Sequence, residues 1–218
     1  MLYRDRADAG RELARKLYSY RDRDDVIVLG LPRGGVPVAF EVAQSLRAPL
    51  DVFVVRKLGT PGQPELAMGA IASGGVRVLN DEVLKALNIP SAMIEQVAQI
   101  EAEELGRREQ QYRGNRPAAD VRGKTVILVD DGLATGSTMR AAAAALRQAG
   151  AQKIVVAVPV AAEASCEILR REVDELVCGA MPEPFWAVGE WYRDFEQTSD
   201  EEVRALLEMS ERKDRAAS

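Results

Sequence analysis

Asp130 and Asp131 close the run of apolar residues Val126 to Val129, and the polar turn Gly132-Leu133-Ala134-Thr135-Gly136-Ser137-Thr138 follows them directly. The apolar run, with its β-branched side chains, reads as a buried strand. MRAAAAALRQAG, closed by Gly150, reads as a helix. A strand, a tight polar turn and a helix N-terminus make an anion site, because first-turn N–H groups lack intrahelical partners and the helix dipole favours negative charge there. Gly136 lets the backbone approach a ligand closely, Ala134 opens the loop, and Thr135, Ser137 and Thr138 add hydroxyl donors. Two carboxylates beside an anion need a reason. Asp130 and Asp131 fit a sugar phosphate: they accept hydrogen bonds from vicinal hydroxyls while the loop holds the 5′-phosphate, and Mg²⁺ offsets the crowded charge. The alternative is a solvated turn in an α/β domain that binds no nucleotide.

The chain contains no histidine, which excludes Ser-His and Cys-His nucleophiles and every histidine-based metal site. Chemistry here must run on carboxylates, Arg, Lys, backbone amides and a divalent cation. A net charge of −5 argues against nucleic acid as a partner of the whole chain. No apolar run reaches membrane-spanning length, and MLYRDRADAG is too charged for a signal peptide, so a cytoplasmic protein is expected. Cys166 and Cys178 lack metal-ligand spacing and read as buried reduced thiols.

The elements that must position this chemistry alternate along the 218 residues. Strands are expected at Val26 to Gly30, Asp51 to Val55, Val126 to Val129, Lys153 to Ala161 and in VDELVC, with helices between them. SGG joins LAMGAIA to VRVLN as a hairpin. This pattern predicts an α/β fold with a doubly wound, mainly parallel sheet, formed by a single domain over residues 1–210. Residues 81–116 form a helical insert whose long helix turns Met93, Val97, Ile100 and Leu105 inward. Residues 211–218 are expected to fray. Ligands of such sheets bind beyond the carboxyl ends of the strands, where LPRGG, RKLG and DDGLATGST all fall. Gly30 to Gly35 lacks the dinucleotide spacing, and Gly123-Lys124-Thr125 precedes its strand, so neither is a nucleotide fingerprint.

The thirteen residues VILVDDGLATGST resemble the phosphoribosyl-pyrophosphate (PRPP) motif of the type I phosphoribosyltransferases. The resemblance implies that family's fold with a hood, and an enzyme that binds Mg²⁺·PRPP and passes its phosphoribosyl group to a small nitrogenous base with loss of diphosphate. Arg33-Gly34-Gly35 resembles the family's diphosphate loop, which implies a cis peptide at Pro32–Arg33. Arg56 and Lys57 resemble the basic pair that joins it. Arg33, Lys57 and Asp131 are then the catalytic residues. Gly59 to Glu65 lies where the family has its flexible catalytic loop, and is short. Phe185, Trp186 and Val188 resemble the segment that contacts the base, and Asp194 resembles a metal-binding aspartate one residue out of register. Trp191 and Tyr192 read as core, while Phe185 and Trp186 stay open between core and base. Ala134 stands where 6-oxopurine enzymes carry an aspartate and where adenine and uracil enzymes carry alanine. That leaves Glu65 as an alternative acid/base. The insert is expected to form the hood or the surface of a homodimer. A non-catalytic PRPP-binding regulator of the same fold is the competing expectation.

Overall fold

In the computed structural model, which describes residues 1–217, strand β1 (Val26–Gly30) is buried along its whole length. Its side chains divide by parity between two apolar layers, as a pleated strand requires. Val26 and Val28 pack with α1 (Arg6–Lys16) and α2 (Gly35–Leu46), whereas Ile27 and Leu29 pack with α5 (Ser137–Gln148) and α6 (Glu163–Leu169). Strands β6 (Thr125–Val129) and β7 (Lys153–Val160) divide in the same way. With β2 (Leu50–Val52) and β8 (Glu175–Ala180) they form a five-stranded sheet in the order β2-β1-β6-β7-β8, every pair parallel. The doubly wound α/β fold is therefore the one expected. The chain steps outward from β1 to β2, returns to β6, and then moves the other way. The loops after β1 and β6 thus flank the point where winding reverses, the usual ligand crevice of such sheets.

The expected strand at Asp51 to Val55 is split. β2 ends at Val52, and β3 (Val55–Thr60) opens a separate antiparallel sheet with β4 (Gln63–Ala72) and β5 (Val76–Leu79). Reciprocal bonds draw the chain across: Val54 N donates to Ser73 Oγ at 2.9 Å, and Ser73 N to Val54 O at 2.9 Å. RKLG is therefore strand, not a loop at the carboxyl end of a parallel strand. Gly59 to Glu65 is largely the tip of the β3–β4 hairpin, turned at Pro61-Gly62 with Gly62 at φ 79°.

The insert comprises α3 (Asp81–Ala86) and α4 (Ser91–Arg113). Its inward stripe keeps Leu105 and the half-buried Val97 of the four residues expected and departs from the other two. Ala98, Leu105 and Tyr112 are buried, while Met93 and Ile100 remain 39% and 59% exposed. The cause is that α4 packs on two partners, the β3–β4 hairpin and α7 (Asp200–Ala217), so the buried face follows their shared groove. Arg113 locks the far end of α4. Its side chain, 4% exposed, donates to Asp51 at 2.8 and 3.0 Å and to Glu109 at 2.6 Å, and Asp51 also accepts from Ala119 N at 3.0 Å. Helix α7 continues through residues expected to fray; Ser218 lies outside the described residues. Cys166 and Cys178 bring their sulfurs to 3.3 Å as free thiols, and burial plus the neighbouring thiol push Cys178 up to about 12. Among the described residues, no helix is long and apolar enough to cross a membrane.

Candidate active site

Where β6 ends, Asp130 turns its carboxylate back to accept the Asp131 N–H at 2.9 Å. Burial pushes the Asp130 carboxyl well above the usual carboxylate range, and the charge of Asp131 pushes it further. Burial also raises Asp131, opposed by Arg6. Arg6 Nε donates to Asp131 Oδ2 at 2.9 Å, in a pair whose side chains are 12% and 15% exposed. The guanidinium also donates to Glu196 O at 2.6 Å and lies 3.9 Å from the centroid of Phe195. Tyr192 Oη donates to the Asp131 carbonyl at 2.6 Å.

Arg6 escapes a motif search because it stands 125 residues from its partner. The signal that could have found it is helical spacing. Arg6 precedes the buried Ala9 and Leu13 by three and seven positions, so it prolongs the inner face of α1.

The loop after Asp131 is pinned from below. Leu133 N donates to Val160 O and Leu133 O accepts from Ala162 N, both at 2.9 Å, and Ser165 Oγ donates to the Ala134 carbonyl. Val188 packs against Gly132 where a side chain would stand. Gly136, at φ 73°, turns the chain into α5. Ala134, Thr135, Ser137 and Thr138 are exposed, with Thr135 Oγ1 and Ser137 Oγ 3.3 Å apart. Among the described residues, the amides from Ala134 to Met139 have no hydrogen-bond partner. A helix N-terminus with its hydroxyls and amides thus stays open beside two carboxylates.

The glycine loop closes the other side. The Pro32–Arg33 peptide is cis, as the resemblance implies. Gly34 backs onto Asp131: a Cβ there would lie 2.8 Å from Asp131 Cγ and 3.2 Å from Arg6 Nε. At Gly35 a Cβ would lie 2.7 Å from Val129 O and 2.9 Å from Asp130 Cα. Gly35 contributes close approach more than a donor, since its N–H already bonds Leu31 O at 3.0 Å.

The remaining expected residues spread out. Arg33 Nη1 reaches to 4.0 Å from Asp200 on α7. Arg56 pairs with Glu101 of α4 at 2.7 Å, and Lys57 with Glu65 at 3.5 Å. Arg56 and Lys57 are neighbours on β3 and so point to opposite faces, which separates them as a basic pair. Glu65 is almost fully exposed. Phe185 stacks on Trp191 with centroids 6.2 Å apart, in a cluster with Val188, Phe195 and Tyr192, whereas Trp186 is 76% exposed. Tyr192 is core, as read from the sequence, and Trp191, half-buried, packs against it. Asp194 is exposed and accepts from Glu196 N at 3.2 Å. Among the described residues, no three carboxylates or thiols gather as a metal site.

A family model described as the phosphoribosyl transferase domain matches residues 2–189. The chain belongs to that family. A Mycobacterium tuberculosis protein named provisionally as phosphoribosyl transferase Rv0571c is 50% identical over 211 residues, 97% of this chain and 47% of the relative. The chain thus spans about half the length of the curated relatives it matches. The crystal structure of TT1426 from Thermus thermophilus superposes with a TM-score of 0.85 at 44% identity, covering 95% of this chain and 98% of that one. A ribose-phosphate pyrophosphokinase of Thermococcus kodakarensis is 48% identical over 68 residues, 30% of this chain and 24% of the relative.

In this phosphoribosyltransferase domain, Arg6→Ala leaves the Asp131 carboxylate without its cation. It is expected to cost roughly 2 kcal/mol in urea unfolding at neutral pH. The loss should shrink as pH falls and Asp131 takes up a proton.

Proposed function

We propose that the domain binds Mg²⁺·PRPP and transfers its phosphoribosyl group to a ring nitrogen of a small base, releasing diphosphate. The observation that carries this reading is the open N-terminus of α5, with unpartnered amides from Ala134 to Met139, directly after the Asp130–Asp131 pair at the switch point. The 5′-phosphate sits on Ala134 to Thr138, and the ribose hydroxyls donate to Asp130 and Asp131. The diphosphate lies along Arg33, Gly34 and Gly35. Mg²⁺ usually takes one or two carboxylates plus phosphate oxygens, so this pair fits it, and its charge would offset that of the diphosphate.

Charge grows on the diphosphate as its bond to C1 breaks, and Arg33 lies beside it to stabilise that charge. Lys57 is the second cation assigned to this step. Its pairing with the exposed Glu65 is a surface contact worth little, so an incoming diphosphate competes for it readily. Arg56, pressed against Glu101, is less available. Trp186 is the exposed ring for stacking on the base, since Phe185 is taken up by Trp191. A homodimer through the insert, where Met93 and Ile100 stay exposed, belongs to the same reading; sedimentation tests it.

One observation favours a second reading, a non-catalytic PRPP-binding regulator. Asp131 and Arg56 each already hold a half-buried charge partner, which suits binding more than leaving-group chemistry. The deciding experiment is diphosphate release from PRPP and Mg²⁺ across a panel of nucleobases. Release with one base, with Arg33→Ala lowering turnover more than PRPP affinity, supports the enzyme. Tight Mg²⁺-dependent binding without release from any base supports the regulator. In either case Thr138→Val should weaken PRPP binding about fivefold in calorimetry, the value of one hydroxyl hydrogen bond, with the fold intact.

A further inference from the structure

A cleft of about 170 Å³ lies beside the glycine loop, lined by Arg33, Arg107, Arg108, Gln111, Tyr112 and Asp200. Nothing in the transfer reaction above uses its far wall. Arg107, Arg108 and Gln111 lie on adjacent turns of α4 and share a face. Tyr112 is buried and anchors that wall to α7.

The unused hydrogen-bonding capacity of this cleft is almost wholly donor. Asp200 is the only carboxylate lining it, and both its oxygens are engaged, by Tyr112 Oη at 2.8 Å and Gln111 Nε2 at 2.9 Å. Glu104 lies behind, taking Arg107 at 2.7 and 2.9 Å and the Nε of Arg108 at 2.8 Å. Among the described residues, the terminal nitrogens of Arg108 have no hydrogen-bond acceptor, and Arg33 has only its 4.0 Å approach to Asp200. Three guanidinium groups against two carboxylates leave an excess positive charge. Guanidinium forks on two sides of a small cleft match the oxygens of a tetrahedral oxyanion.

We infer that Arg33, Arg107 and Arg108 form a second anion site, which takes the phosphate group of a small molecule other than PRPP. The inference rests on the proposed function in one respect only: that function places the phosphates of PRPP on the α5 loop and along the Arg33-Gly34-Gly35 backbone. Arg33 then belongs to both sites, its backbone in one and its guanidinium in the other. An anion in the cleft fixes that guanidinium toward α4 and α7 and withholds it from the diphosphate, so the second ligand acts on the transfer step.

The test titrates inorganic phosphate, at constant ionic strength, into the full chain with and without saturating Mg²⁺·PRPP. The parent should bind phosphate in both forms. Arg107→Gln with Arg108→Gln should weaken that binding at least tenfold while PRPP affinity is unchanged. Both side chains are substantially exposed, 62% and 40%, so the fold should tolerate the change. If the paired variant does not fold, Arg108→Gln alone is read in the same way. Unchanged phosphate binding in the variant overturns the site. So does complete loss of phosphate binding in the parent when it is saturated with Mg²⁺·PRPP, since the cleft would then hold the diphosphate of PRPP itself; displacement from the α5 loop alone leaves the cleft's share of the phosphate bound. If PRPP does not bind at all, the transfer reading fails, and the phosphate arm on the free protein still decides the cleft.

Discussion

Asp130→Asn is expected to melt at a higher temperature than the parent at neutral pH while binding PRPP at least tenfold less tightly. Burial and the charge of Asp131 hold the Asp130 carboxyl well above its ordinary value of 3.8. Between 3.8 and that raised value, the folded protein keeps a proton that the unfolded chain has lost, so stability falls as pH rises through the window. An amide of the same shape removes this penalty and still accepts the Asp131 N–H. The gain in melting temperature should therefore be largest near neutral pH and vanish as pH falls toward 3.8. Binding moves the other way. A charge-assisted hydrogen bond to a sugar hydroxyl contributes roughly 1.5–3 kcal/mol, and losing it costs about tenfold or more in affinity. Scanning calorimetry across pH, with PRPP titration of the same variant, reads both halves. A carboxylate kept for structure alone would leave PRPP affinity unchanged in this variant.

Arg113→Met should cause the largest loss of stability. It strips the cation from Asp51 and Glu109 where the pair is buried, and with it the bond to the Val52 carbonyl. Breaking a buried ion pair by removing one partner costs about 3 kcal/mol. For a chain of this size that corresponds to a fall in melting temperature of roughly 6–12 °C. Asp51→Asn combined with Arg113→Met should cost less than the sum of the two single changes, because the uncompensated charge disappears with its partner. Additive losses would mean that Asp51 and Arg113 act independently.

Local signals made much of this molecule legible from its residues. The strand, acidic pair, polar turn and alanine-rich helix from Val126 to Gly150 form one contiguous unit whose periods and turn chemistry agree. The position of the cis peptide followed from the resemblance of its loop. The split after Val52 was hidden, because Phe53 and Val54 continue an apolar run and only a distant serine, Ser73, draws the backbone aside. The inner face of α4 is legible only in part for a related reason: a helix with two partners buries the residues their groove dictates, so Leu105 turns inward as expected while Ala98 and Tyr112 take the places expected for Met93 and Ile100. Arg6 and the Arg107–Arg108 wall come from elements remote in sequence. Their roles depend on how α1 and α4 dock, which helical periodicity constrains only to a face.

The central claim is that PRPP binds at the carboxyl ends of β1 and β6. Its most direct test is titration of PRPP with Mg²⁺ into ¹⁵N-labelled protein, following the backbone amide signals. The account predicts saturable shifts at Gly34 and at Thr135, Gly136, Ser137 and Thr138, reduced in Asp130→Asn. Saturable binding that leaves these amides unmoved, or no binding at all, would contradict it.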